Sequence, residues 1–116
     1  MQFGLNCNVF PILKIDTEFS QFKFHLKILS MKIFYQSEDY DSMYYTADSF
    51  THFLSKNKIV GKNYKYEFNR FIRILDLLVK YKLGKDEKHF YKLKQLLENN
   101  AIASKRWLNE KFKELT

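Results

Sequence analysis

Three histidines (His25, His52 and His89) and one cysteine (Cys7) are the residues of this chain best suited to metal or nucleophilic chemistry. Their spacing supports neither. The histidines lie far apart and lack any His-x-x-x-His or Cys-x-x-Cys companion, so no zinc site is indicated and each reads as a helix-surface or boundary residue. Nothing orients a base toward Cys7, which reads as an incidental thiol. Asp39 and Asp41, two residues apart, suggest a calcium loop. However, no glycine follows at the sharp turn, and the position of the closing bidentate glutamate falls on Phe50. There is also no glycine-rich phosphate loop and no Gly-x-Ser-x-Gly elbow. The expectation is a protein without enzymatic activity, metal or cofactor.

The remaining chemistry is charge. The net charge of +7 invites a phosphate partner, because a basic surface releases counterions from nucleic acid when it binds. Residues 58–82 hold seven Lys or Arg and two acids, and Lys62, Lys65, Arg73 and Lys80 line one face of a predicted helix as a candidate phosphate track. Against this, the cations are 17 Lys and only 3 Arg, and Arg is the side chain that reads phosphates and bases bidentately. Abundant Lys, Phe, Tyr, Ile and Asn also follow from A- and T-rich codons. Nucleic-acid binding is therefore the alternative reading.

The elements that position these residues are helical. At 116 residues, 46% hydrophobic and 28% charged, the chain is one globular domain's worth. Pro11 is the only proline, and Gly4, Gly61 and Gly84 are the only glycines, so little interrupts a helix after residue 20. Residues 1–20 show no helical period and read as an irregular segment, with Phe10 to Ile15 as a short extended piece and Asp16 or Thr17 as a cap.

Residues 21–116 read as the folded domain, with about five antiparallel helices. The first, from about Gln21 to Gln36, is apolar on two sides: Phe22, Leu26, Leu29 and Ile33 form one stripe, and Phe24, Ile28, Met31 and Tyr35 lie nearly opposite. Both sides call for neighbours. Asp39 caps a second helix with a single stripe of Tyr40, Met43, Tyr44, Ala47, Phe50 and Leu54, which covers one side of the first. After a linker around Lys58 to Lys62, a long third helix carries Tyr64, Phe68, Phe71, Ile72, Leu75, Leu78 and Val79 on its core face, and Gly84 is placed to cap it in left-handed conformation. Asp86 opens a fourth helix with Phe90, Leu93 and Leu97. The pair Asn99 and Asn100 breaks it, and a fifth carries Leu108, Phe112 and Leu115, with Trp107 off the line and plugging a gap.

The turn Glu38-Asp39-Tyr40-Asp41, with Phe34 before it and Ala47 after, resembles the middle turn of a tetratricopeptide repeat. The likeness covers about one repeat and is degenerate. Met31, Met43 and Phe50 stand where the repeat carries small residues, and no proline closes the second helix. A longer likeness runs from about Leu26 to the end through Ser-Phe-Thr-His-Phe-Leu, Phe-Asn-Arg-Phe-Ile-Arg-Ile-Leu and Lys-Arg-Trp-Leu-Asn-Glu-Lys. It is similar to the C-terminal part of large, uncharacterised bacterial helical-repeat proteins. The resemblance implies an all-α stack of right-handed helical hairpins or a small bundle, part of a longer repeat protein, with residues 1–20 unrelated to it.

The function expected from this is protein interaction, through a protein partner or self-association. Phe24, Ile28, Met31 and Tyr35 are the candidate contact, and the opposite stripe is the alternative if the two sides are reversed. A lone cysteine points to a reducing, cytoplasmic setting, and no stretch approaches the roughly 20 apolar residues needed to cross a bilayer.

Overall fold

The computed structural model describes the backbone of residues 12–56 and 62–116 and the side chains of residues 21–56 and 64–116. The described residues form five helices and no strand: α1 (Ile12–Gln36), α2 (Tyr40–Lys56), α3 (Lys62–Gly84), α4 (Glu87–Leu96) and α5 (Lys105–Leu115). The fold is all-α, as the periodicity requires. Where the sequence reads one domain, the contacts divide the chain into two compact units, Met1–Gly61 and Lys62–Thr116. Cys7 and the linker residues 58–61 lie outside the described residues.

In the first unit, α1 begins nine residues before the expected Gln21. Ile12 to Ile15 are helical rather than extended, and Asp16 and Thr17 are interior residues rather than caps. The physical reason lies in the spacing: Ile12, Ile15 and Phe19 continue the three- and four-residue steps of the Phe22 stripe.

A three-residue turn folds α2 back along α1. Glu38 takes left-handed backbone (φ 62), and the amide of Asp39 donates to the carbonyl of Phe34 at 2.9 Å. The Asp39 carboxylate accepts from the amide of Ser42 at 3.3 Å, so this acid is the helix cap that the sequence suggests. From α2, Met43, Ala47, Phe50 and Leu54 are buried against α1, while Tyr44 lies toward solvent.

In the second unit α3 is the central element and packs against both α4 and α5. Its buried residues are Phe68, Phe71, Ile74, Leu75, Leu78 and Val79. Ile74 was not expected on the core face, and Tyr64 and Ile72 are only half-buried. Two neighbouring helices widen the arc that α3 must bury. Tyr81, Phe90 and Phe112 form an aromatic cluster across the three helices, with centroids 5.9 and 5.3 Å apart. Trp107 lies 6.4 Å from Phe71, so it does fill a gap between α5 and α3.

Gly84 is the last residue of α3, not its left-handed cap. Lys85 takes that conformation instead (φ 54), and its amide donates to the carbonyl of Tyr81 at 2.7 Å. The helix therefore takes in the glycine and turns at Lys85, whose Nζ donates to the carbonyl of Leu115 and lies over the Tyr81 ring. Asp86 then caps α4, accepting from the amide of Lys88 at 2.9 Å. The Asn99 side chain closes the next turn by accepting from the amide of Ala101. Buried Ile102 and Ala103 seal the connection to α5, with the Ala103 amide donating to the carbonyl of Glu67.

Candidate interaction surface

The surface of interest is on α1, whose two apolar stripes have opposite fates. Phe24, Ile28, Met31 and Tyr35 are buried, and Met31 is wholly inaccessible. The Phe24 ring meets Phe50 of α2 at 6.2 Å, and Tyr35 meets Tyr40 at 6.3 Å beside the turn. Phe50 in turn stacks on Phe53 at 5.3 Å, and the Lys23 ammonium lies 4.4 Å over the Phe53 ring. This stripe is the core of the hairpin. The four residues named first as interface candidates are therefore corrected to interior residues, because the single stripe of α2 lands on them.

The opposite stripe is bare. Phe22, Leu26, Leu29 and Ile33 are 45 to 61% exposed, in one line along the helix. They were the alternative set, and they are the ones that face outward. Isolated exposed apolar residues are ordinary, but four large ones in a continuous line make a patch that proteins usually cover. Half-buried Lys32 flanks it, and burial holds the Lys32 ammonium below its ordinary value.

The proposed phosphate track is uneven. The Lys62 side chain lies outside the described residues, and Lys65 is half-buried. Lys80 is paired with Asp76 at 3.0 Å within the same helix face. Arg73 is exposed, and it shares a cleft of about 270 Å³ with Tyr66, Asn69, Arg70, Ile74 and Leu96. Arg70 lies over the Tyr66 ring at 4.5 Å and donates to its hydroxyl, while its Nε has no hydrogen-bond partner. Sequence reading missed Arg70, although Tyr66, Asn69, Arg70 and Arg73 stand at the three- and four-residue offsets that share a helix face.

His52 lies in a wide, shallow groove with Asp48 and Ser49, but no hydrogen bond joins it to either. His89 is half-buried, and its Nδ1 has no partner. Among the described residues no group of three His, Cys, Asp or Glu could hold a metal, and no helix is long and apolar enough to cross a membrane. No protein-family model, curated protein or solved structure matches this chain.

Proposed function

We propose that this chain is a tetratricopeptide-like helical protein that acts by binding protein, in a reducing, cytoplasmic setting suggested by its single cysteine. The contact surface is the stripe Phe22, Leu26, Leu29 and Ile33. The observation that carries the reading is the exposure of these four side chains in one line on a helix whose other side is already packed. A helix apolar on two sides is built to stand between two neighbours, and α2 supplies one of them.

The test is to replace Leu26 and Leu29 together by lysine and record the circular dichroism and thermal melt. On this reading the single chain keeps its helical spectrum and its cooperative melt. Collapse of the helical signal in that variant would place the stripe in the interior of a single chain and end the proposal.

A second reading, nucleic-acid binding, draws on the cleft that joins Arg70 and Arg73 beside Tyr66. Binding of a labelled single-stranded oligonucleotide should then fall steeply from low to moderate salt and weaken further in Arg73→Ala. Negligible binding at low salt removes this reading.

A further inference from the structure

The cleft between α3 and the end of α4 is rich in hydrogen-bond donors. Tyr66, Asn69, Arg70 and Arg73 form its polar wall from successive turns of α3, Ile74 and Leu96 add apolar surface, and no acid lines it. Among the described residues neither guanidinium has a carboxylate partner: Asp76, three residues on from Arg73, is held by Lys80, and Glu67, three residues before Arg70, does not line the cleft. Like charges one turn apart on a helix repel, so an anion seated between them relieves a repulsion that the chain itself leaves standing. Arg70 is also held in place. Its guanidinium lies over the Tyr66 ring and donates to the Tyr66 hydroxyl, which leaves the hydroxyl's own proton to be donated. Its buried Nε has no acceptor among the described residues, so the guanidinium holds more donors than the chain satisfies.

We propose that this cleft binds the phosphate group of a phosphate monoester; the proposal shares with the nucleic-acid reading only the premise that the cleft takes phosphate. Charge and extent separate the two. The pair of guanidiniums matches the charge of about −1.5 to −2 that a monoester carries at pH 7, whereas each phosphate of a nucleic-acid strand carries a single charge. The three free oxygens of a monoester accept from a fork of Arg donors, with the Tyr66 hydroxyl and the Asn69 amide beside them. The charge does not run on along α3 as a strand requires, since Lys80 is paired with Asp76 and Lys65 is half-buried. At about 270 Å³ the cleft is smaller than the roughly 300 to 1,000 Å³ of sites that enclose a whole drug-sized ligand. It therefore suits a phosphate and the first atoms of the group it esterifies, with half-buried Leu96 as the wall on which that carbon group rests.

Isothermal titration calorimetry of the full chain with phenyl phosphate at low salt tests this. One molecule should bind per chain. Arg73→Gln and Arg70→Lys should each weaken binding about tenfold or more, the second because lysine keeps the charge but loses the planar fork. Arg106→Gln, which removes the same charge from a separate groove on α5, should change affinity by no more than about twofold. Inorganic phosphate should bind severalfold more weakly for want of the contact with Leu96, and diphenyl phosphate, a monoanion, about tenfold more weakly. Absence of saturable binding, or an equal loss in Arg106→Gln, overturns the site. Diphenyl phosphate binding as tightly as phenyl phosphate overturns the preference for a monoester, and inorganic phosphate doing so overturns the ester in favour of the free ion. An oligonucleotide lacking a terminal phosphate separates the two readings of the cleft. It should not displace phenyl phosphate, whereas Arg73-dependent binding of it by a chain that ignores phenyl phosphate sinks this proposal and keeps the nucleic-acid reading.

Discussion

α1 and α3 are both long helices with more apolar surface than one neighbour can cover, and the two units treat them differently. α3 receives α4 and α5 and buries a broad arc that includes Ile74. Among the described residues α1 packs mainly on α2, and its second stripe is exposed. The lesson is that side-chain type alone does not separate core from surface in this chain. Phe22 and Phe24 are the same residue two positions apart, and what differs is which side the next helix reaches.

The largest effect should come from testing that difference within α1. Met31→Asp places a charge in a wholly buried position and should cost about 4 kcal/mol or more, enough to unfold the hairpin. Leu26→Asp in the single chain should change stability by no more than about 0.5 kcal/mol, since that side chain is already wet. Equal losses in thermal melts of the two variants would erase the distinction between the stripes.

The second unit offers the next contrast. Leu93→Ala and Leu108→Ala, each fully buried against α3, should lose about 2 to 4 kcal/mol by chemical denaturation. A loss below about 1 kcal/mol would show that the three-helix unit is no better packed than the exposed side of α1.

Helix ends give smaller effects. Asp86→Ala should cost about 1 kcal/mol, and Asp39→Ala less, because its bond to the Ser42 amide is longer than the bond from Asp86 to Lys88. The reverse order in denaturant midpoints would contradict the capping geometry. Gly84→Ala should gain about 0.5 to 1 kcal/mol, since the residue is helical and a Cβ there meets nothing within 4 Å. A loss would mean that the glycine performs the left-handed turn after all.

The smallest effect concerns pH. Burial lowers the folded-state Lys32 value below 10.5, so the folded protein binds fewer protons there than the unfolded chain in the window between the two values. Lys32 thus carries a cost that is fully present below the folded value and is relieved as pH rises toward 10.5. Stability of the wild type should climb slightly through that window relative to Lys32→Gln, and parallel profiles would remove the effect.

Much of this architecture is legible in the chain because long helices leave a strong period and few residues interrupt it. Asp39 and Asp86 declare their caps by type and position, and Trp107 announces its gap-filling role by falling off the line of its own helix. The side of α1 that α2 covers was not legible, because both stripes carry four large apolar residues and the choice depends on the path of the turn. Tyr35 does hold a clue: it is the last apolar residue of its stripe and it meets Tyr40, the first of α2. The early start of α1 is harder to read because Asn6, Asn8 and Pro11 interrupt the segment just before it, although Ile12, Ile15 and Phe19 continue the period of the Phe22 stripe. Arg70 is hidden from a charge pattern because it lies off the Lys62 line of α3, on the adjoining face with Tyr66.

Glu38 carries a consequence for what else this chain could become. Only the residues from Ser37 to Asp39 separate α1 from α2, and Glu38 is the one among them with φ above zero. A continuous rod from Ile12 to Lys56 would need right-handed backbone at all three of these residues, the Asp39 cap included. Two such rods could then exchange their second halves and rebuild the same interior between chains. The tip is a place where a non-glycine residue holds left-handed backbone, a local cost of about 1 to 2 kcal/mol that the hairpin's buried stripe must offset.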